Sequence, residues 1–325
     1  MTNAGSGDGH LSRNERREAA REKAKVLRES QKRKDRARRF FLQGGLIIGS
    51  IAIIAIVALV IVNSQRPAGP GPLNMLSDGI KIGQGLKATP TAALVADETP
   101  VPNVADEESD VIDIQLYVDY LCPFCNEFEQ TNGEQIEAWL ERGAATVEIH
   151  PISILNANSM GTQYSTRSAN AAACVANYAP DSYWAVNTAL FANQPEERTA
   201  GLTDAELVTI VTDAGAAPAE EITNCIEDET FKSWVQAATL RALDGTVPGS
   251  EAVVKGTPTV VVDGLKYEGA IDDADAFAAF VVQASGAKFN QNSTPTPTPT
   301  PAAETTEAPA TTEEVPAAPE APAAG

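Results

Sequence analysis

Val111 to Glu129, VIDIQLYVDYLCPFCNEFE, is the passage from which the rest of the chain can be read. Its first eight residues, Val111 to Val118, are rich in β-branched and apolar side chains and read as a central strand. Asp119-Tyr120-Leu121 breaks the run and leads into Cys122-Pro123-Phe124-Cys125. Beyond the second cysteine the period changes to helical: Phe128, Ile136, Trp139 and Leu140 stand among Glu, Gln and Asn, and Gly143 supplies a stop. The order is strand, C-x-x-C, helix.

That position gives the two cysteines their chemistry. Unpaired N–H groups and the positive end of the helix dipole favour a thiolate at the first helical turn, so Cys122 is expected to have a lowered pKa and to attack disulfides. Pro123 suits the helix start, because the N–H it lacks would have no intrahelical partner there. Cys125, one turn further in, is expected to be less exposed and to resolve a mixed disulfide by attacking Cys122. The other uses of C-x-x-C are half a zinc site and haem attachment. Haem attachment requires His after the second Cys, and residue 126 is Asn. With 4 Cys and 2 His in the chain, a closed zinc site would need nearly all of them at spacings that fit no common pattern. No metal or cofactor is expected.

Outward from this passage, Ala145 to Leu155 reads as a second central strand, and Ser77 to Gly83 as a short strand ahead of a Pro-rich acidic stretch, Pro90 to Asp110. Residues 160 to 245 read as helical throughout. Arg167, Ala171, Cys174, Val175 and Tyr178 share one face, and Thr203 to Glu206 form a capping box with Leu202 and Leu207 as a staple. Phe231, Trp234, Val235 and Ala238 make another apolar stripe before Gly245. Thr257 to Val262 returns to strand, Asp263-Gly264 makes a hairpin turn, and Asp273 to Ala287 is a final helix with Phe277, Phe280 and Val281 on its apolar side. The order βαβ, helices, ββα predicts an α/β domain over residues 77–288 with a helical insertion at about 160–245.

The flanks are of different character. Of 24 Lys and Arg in the 325 residues, 13 lie in the first 40, beside 6 acidic residues; the remainder carries 11 basic and 38 acidic side chains. An acidic body argues against nucleic acid as a partner, since phosphate binding rests on Lys and Arg. From Phe40 to Val62 the only strongly polar residue is Gln43. As a helix these residues would reach about 34 Å, enough to span a hydrocarbon core of about 30 Å. The long basic arm and the lack of an A-x-A site favour an uncleaved signal anchor over a cleaved signal peptide. The basic arm, 1–39, then stays in the cytoplasm and everything after residue 63 lies outside. Residues 63–76 read as a Pro-rich tether. Residues 289–325, with TPTPTPTP from Thr294 to Pro301, read as a disordered or extended tail.

In such an oxidising compartment, an even number of cysteines makes a structural disulfide between Cys174 and Cys225 the expectation, with two independent buried thiols as the alternative. Its 51-residue loop would stabilise by about 4 kcal/mol in the chain-entropy model.

The run DYLCPFCNEFE, Asp119 to Glu129, followed by a helical block and by Gly256-Thr257-Pro258-Thr259, resembles the DsbA-like thioredoxin-fold oxidoreductases, in particular membrane-anchored members from Gram-positive bacteria. The resemblance implies a thioredoxin fold with a helical insertion, preceded here by one transmembrane helix and followed by the tail. It implies a cis peptide at Thr257-Pro258 facing the cysteines, with Thr257 backbone groups pairing with substrate as an added strand. The implied substrates are thiols of unfolded secreted proteins, whose binding would need an apolar surface around Phe124 and the Thr257-Pro258 loop. The implied reoxidant is a quinone-linked membrane partner of the DsbB or VKOR type.

Two departures stand out. The family's Pro-His between the cysteines is Pro123-Phe124 here, and Leu116 occupies the place of a buried carboxylate that assists proton transfer. Asp119, besides capping, is a candidate to take over part of that role, and His150 on the neighbouring strand is a candidate to tune Cys122. The leading expectation is a disulfide oxidase of cell-envelope proteins. The alternatives are a reductase or isomerase of the same fold, and a redox-inactive binding module in which Cys122–Cys125 is only a staple.

Overall fold

The computed structural model describes residues 69–103 and 110–292, and Lys25 before them. The basic arm apart from Lys25, the apolar run 40–62, residues 104–109 and the tail from residue 293 lie outside the described residues. Among the described residues no helix is long and apolar enough to cross a membrane.

A six-stranded sheet organises the domain, in the order β2-β1-β4-β3-β5-β6. Its centre is β3 (Ile112–Val118) paired in parallel with β4 (Ala145–Pro151), from Ile112 opposite Ala145 to Val118 opposite Pro151. The helix α1 (Pro123–Arg142) makes the crossover between them. On one side β5 (Thr259–Val262) runs antiparallel to β3 and continues into β6 (Leu265–Lys266). Asp263 and Gly264 between them have φ of 45° and 80°, the left-handed backbone that a two-residue hairpin requires. On the other side β1 (Ile80–Gly83) pairs antiparallel with β4, and β2 (Lys87–Ala88) with β1.

Alternation sends the two faces of β3 to different cores. Ile114, Leu116 and Val118 join Val147 and Ile149 against Phe128, Ile136 and Leu140 of α1. Tyr117 joins Ile152 and Val261 under Val247 and Val254 on the opposite face. The final helix α7 (Ala274–Asn292) inserts Phe277, fully buried, edge-on to both Phe128 and Tyr267 with centroids 5.2 Å apart in each case. Pairs of this geometry add about 0.5–1.5 kcal/mol to the area they bury.

The insertion is a cluster of five helices: α2 (Tyr164–Tyr178), α3 (Tyr183–Ala192), α4 (Asp204–Asp213), α5 (Ala219–Glu227) and α6 (Lys232–Asp244). α2 touches the other four. It is buried on nearly every side, so the expected single apolar face is wrong: Ala169, Ala171, Ala172, Ala173 and Ala176 are all inside, while Tyr178 is exposed. Small side chains let four neighbours approach one helix. α4 opens with the complete Thr203–Glu206 capping box.

Two further expectations change. Packing reaches ahead of residue 77: Met75 is fully buried, the Gly71 N–H donates to Leu94 O at 2.8 Å, and a Cβ on Gly71 would stand 2.8 Å from Trp234 Nε1. The residues read as the end of a tether are therefore packed. The strand read as running to Leu155 ends at Pro151, and the chain then turns so that the Leu155 N–H reaches Asp119 Oδ2 at 2.9 Å.

Candidate active site

Cys122 is the N-cap of α1, with extended backbone (φ −77°, ψ 115°), and Pro123 is the first helical residue. Its carbonyl accepts the first helical N–H groups, from Cys125 at 3.1 Å and Asn126 at 3.2 Å. Both cysteines are free thiols, 4% and 2% exposed for Cys122 and Cys125. Facing them is the loop before β5, where Thr257-Pro258 is a cis peptide, and when Cys122 is protonated its S–H donates to Thr257 O at 3.2 Å.

The electrostatics separate the two thiols. Cys122 is pulled down to about 6, first by the Cys125 thiol donating to its sulfur, then, against the penalty of burial, by Thr257 and the backbone of Cys125 and Phe124. The neighbouring thiol thus outweighs the helix-terminus N–H groups, which reverses the emphasis expected from position alone. Cys125 is pushed well up, by burial first and then by Cys122. The Thr257 hydroxyl, buried and without another partner, lowers both. One sulfur is thus a thiolate near neutral pH and the other holds its proton, the asymmetry that thiol–disulfide exchange uses.

Phe124 is 60% exposed and presents an apolar ring beside Cys122 in sequence. Asp119 is fully buried; its two oxygens accept the N–H groups of Leu121 and Leu155, each at 2.9 Å. Burial raises its pKa, opposed by those bonds and by Ser165. It braces the turn into Cys122 and the loop after β4. His150 is not brought to the cysteines. Its register partner Tyr117 belongs to the second core, and the two rings stack at 4.3 Å on the sheet face away from α1. There His150 lines a cleft of ≈ 310 Å³ with Tyr117, Asp78 and Arg241. Tuning of Cys122 by His150 is therefore corrected: the strand alternation points its ring the wrong way. Leu116 is buried in the core beneath α1.

Sequence reading missed two groups. Gln194 Nε2 donates to Tyr120 O at 3.1 Å and to Cys122 O at 2.9 Å, from more than 70 residues away, and nothing local to Asn193-Gln194-Pro195 signals it. Glu129, one turn along α1 from Cys125, is buried with its carboxyl bonded by the Thr188 hydroxyl at 2.9 Å and pushed up by burial. An acidic residue at that helical position, among Phe128, Ile136 and Leu140, was the available signal. In the insertion, Cys174 of α2 and Cys225 of α5 are bonded, S–S 2.04 Å and Cα–Cα 5.9 Å. Among the described residues no group of three or more His, Cys, Asp or Glu is arranged to hold a metal ion.

The strand, the C-x-x-C turn, α1, the parallel β4, the cis proline before β5 and the closing helix together define a thioredoxin-type fold. A family model described as thioredoxin matches residues 105–296, and the chain belongs to that family. Among curated proteins it is 30% identical over 151 residues to the serine/threonine-protein kinase PknE of Mycobacterium tuberculosis, covering 45% of this chain. The match spans about a quarter, 26%, of that kinase's length. Among solved structures it is similar to reduced DsbG, a disulfide bond oxidoreductase of Mycobacterium tuberculosis, with 25% identity, TM-score 0.49, and coverage of 64% of this chain and 88% of that one. Oxidised DsbA of the same organism gives 25% identity and TM-score 0.48, with coverage of 64% and 93%. BdbD of Bacillus subtilis gives 17% identity and TM-score 0.48, with coverage of 68% and 100%.

Proposed function

We propose that the protein is a DsbA-like thiol-disulfide oxidoreductase that introduces disulfides into secreted or cell-envelope proteins through Cys122 and Cys125. The observation that carries this is the split between the two sulfurs, Cys122 lowered to about 6 and Cys125 held well above its ordinary value, at the start of α1 and opposite Thr257-Pro258. In the forward reaction a substrate thiolate attacks Cys122 Sγ of the oxidised pair. The Cys122–Cys125 bond breaks, its electron pair goes to Cys125 Sγ, and that sulfur takes up a proton. A second substrate thiolate then attacks the substrate sulfur of the mixed disulfide and Cys122 leaves as a thiolate, so that two electrons have passed to the protein.

Thr257 is suited to aligning the substrate as an added strand beside Cys122, and exposed Phe124 to giving an unfolded chain an apolar foothold. The protein dithiol must be reoxidised, and a quinone-linked membrane protein of the DsbB or VKOR type meets that need. The apolar run from Phe40 to Val62 would hold the domain on the outer side of the membrane, near such a partner.

The test is disulfide transfer from the oxidised protein to a reduced, unfolded ribonuclease. Transfer should vanish in Cys122→Ser, while Cys125→Ser, offered a disulfide-bonded protein instead, should attack that disulfide through Cys122, release one substrate thiolate and remain trapped as the mixed disulfide. Full transfer by Cys122→Ser would refute the proposal. A reductase or isomerase is the second reading, favoured by Phe124, whose side chain replaces the family's imidazole with a group that has no hydrogen bond to offer Cys122.

A further inference from the structure

We propose that Gln194, two residues past the end of α3 in the helical insertion, is a positioning residue that holds the turn carrying Cys122 in its reactive geometry through two hydrogen bonds to main-chain carbonyls. The inference rests on the thiol–disulfide reading of the site and adds a residue that the motifs do not contain.

The polar groups of the turn Asp119 to Cys122 are shared between two clamps. Asp119 takes the N–H groups: Leu121 N–H donates to Asp119 Oδ1 at 2.9 Å and Cys122 N–H to Asp119 O at 2.9 Å. Gln194 takes carbonyls: its side-chain amide donates one N–H to Tyr120 O and the other to Cys122 O, at 3.1 and 2.9 Å. Both amide hydrogens are thus used, and the oxygens of residues 120 and 122 are fixed relative to each other. Gln194 is itself held, since its backbone N–H donates to Phe191 O at 3.1 Å and Pro195 follows it, which restricts its backbone.

The Cys122 carbonyl also receives the first N–H groups of α1. A bond from Gln194 to that same oxygen therefore sets how the helix start, the Cys122 side chain and Thr257 are aligned. Thiolate stabilisation at Cys122 comes from the Cys125 thiol and Thr257, both short-range contacts that a small rotation of the turn would lengthen. The insertion thereby acts on the redox pair without touching either sulfur.

The experiment uses the full chain and the variants Gln194→Met, which keeps length but removes both donors, and Gln194→Glu, whose carboxylate accepts where the amide donates. Asn193→Ala is the control: among the described residues its side chain bonds only Ala189 O, within α3. The readouts are the Cys122 titration midpoint, followed by thiolate ultraviolet absorbance, and the equilibrium constant with glutathione. The Met variant should raise the midpoint by about 0.5–1 unit and shift the equilibrium roughly threefold to tenfold toward the disulfide, because the reduced form loses thiolate stabilisation. The Glu variant should move both in the same direction, and Asn193→Ala neither. A merely structural role would lower thermal stability and leave midpoint and equilibrium unchanged; that result, or an equal shift in Asn193→Ala, overturns the proposal. If the unmodified pair does not exchange with glutathione, the thiol–disulfide reading fails, whereas the titration midpoint of Gln194→Met still decides for or against the clamp.

Discussion

At the residue scale the chemistry reduces to why two cysteines three positions apart differ. Cys122 has short-range donors to its sulfur, while Cys125 sits deeper with no charge to offset its burial. Alkylation of the reduced protein by iodoacetamide should therefore rise with pH around a midpoint of about 6 and level off; a midpoint near the ordinary value of 9.0 would contradict the geometry. The sign for stability follows. A depressed folded pKa stabilises the reduced fold in full above the unfolded value and loses that contribution as pH falls through about 6. Denaturant melts of reduced and oxidised protein should thus show the reduced form gaining on the oxidised form as pH rises from about 6 to 9.0. Asp119 is a different case: its carboxylate satisfies buried N–H groups of Leu121 and Leu155. Asp119→Asn presents an amide with half the acceptors, and should destabilise by about 1–3 kcal/mol in urea melts. No loss there would remove it as the brace of the turn.

At the element scale two contacts are open to direct test. Cys174–Cys225 joins α2 to α5 across a 51-residue separation. The double Cys174→Ala, Cys225→Ala variant should lose up to about 4 kcal/mol of stability, read as a lower Tm, with the Cys122 titration unchanged. Gly79, just before β1, lies against the His150 ring, and a Cβ there would stand 2.5 Å from it. Gly79→Ala should destabilise by about 1–3 kcal/mol by forcing a stacked, buried ring to move. A melt unchanged from the parent would show that the ring has room.

These elements also show what was legible beforehand. The change of period at Cys122, the Thr203 capping box and the Asp263-Gly264 turn are local signals, and α1, α4 and the hairpin stand where they point. What failed depends on contacts distant in sequence. Gly71 and Met75 carry no periodicity, so nothing local marks Met75 as buried or Gly71 as lying against Trp234 of the insertion. Gln194 is identifiable only once the chain has folded. His150 was partly legible: counting alternate residues along β4 puts it opposite Ile149, which faces α1.

At the scale of the whole molecule, a five-helix insertion packs against a thioredoxin sheet along several contacts, and one of them, from Gln194, reaches the turn that carries Cys122. The flanking segments, basic arm, apolar run and Pro-rich tail, add the proposal that this domain works tethered at the outer face of a membrane. Protease added to sealed cells should then remove the domain while leaving the arm before Phe40 protected; a domain protected until the cells are opened would contradict that topology. The central claim, that Cys122 and Cys125 form a disulfide-donating pair, is tested most directly by their reduction potential, with the protein equilibrated against glutathione at fixed pH. Stabilisation of the Cys122 thiolate predicts a value near or above about −150 mV, whereas a value near the thioredoxin figure of about −270 mV would contradict it and assign the protein to reduction instead.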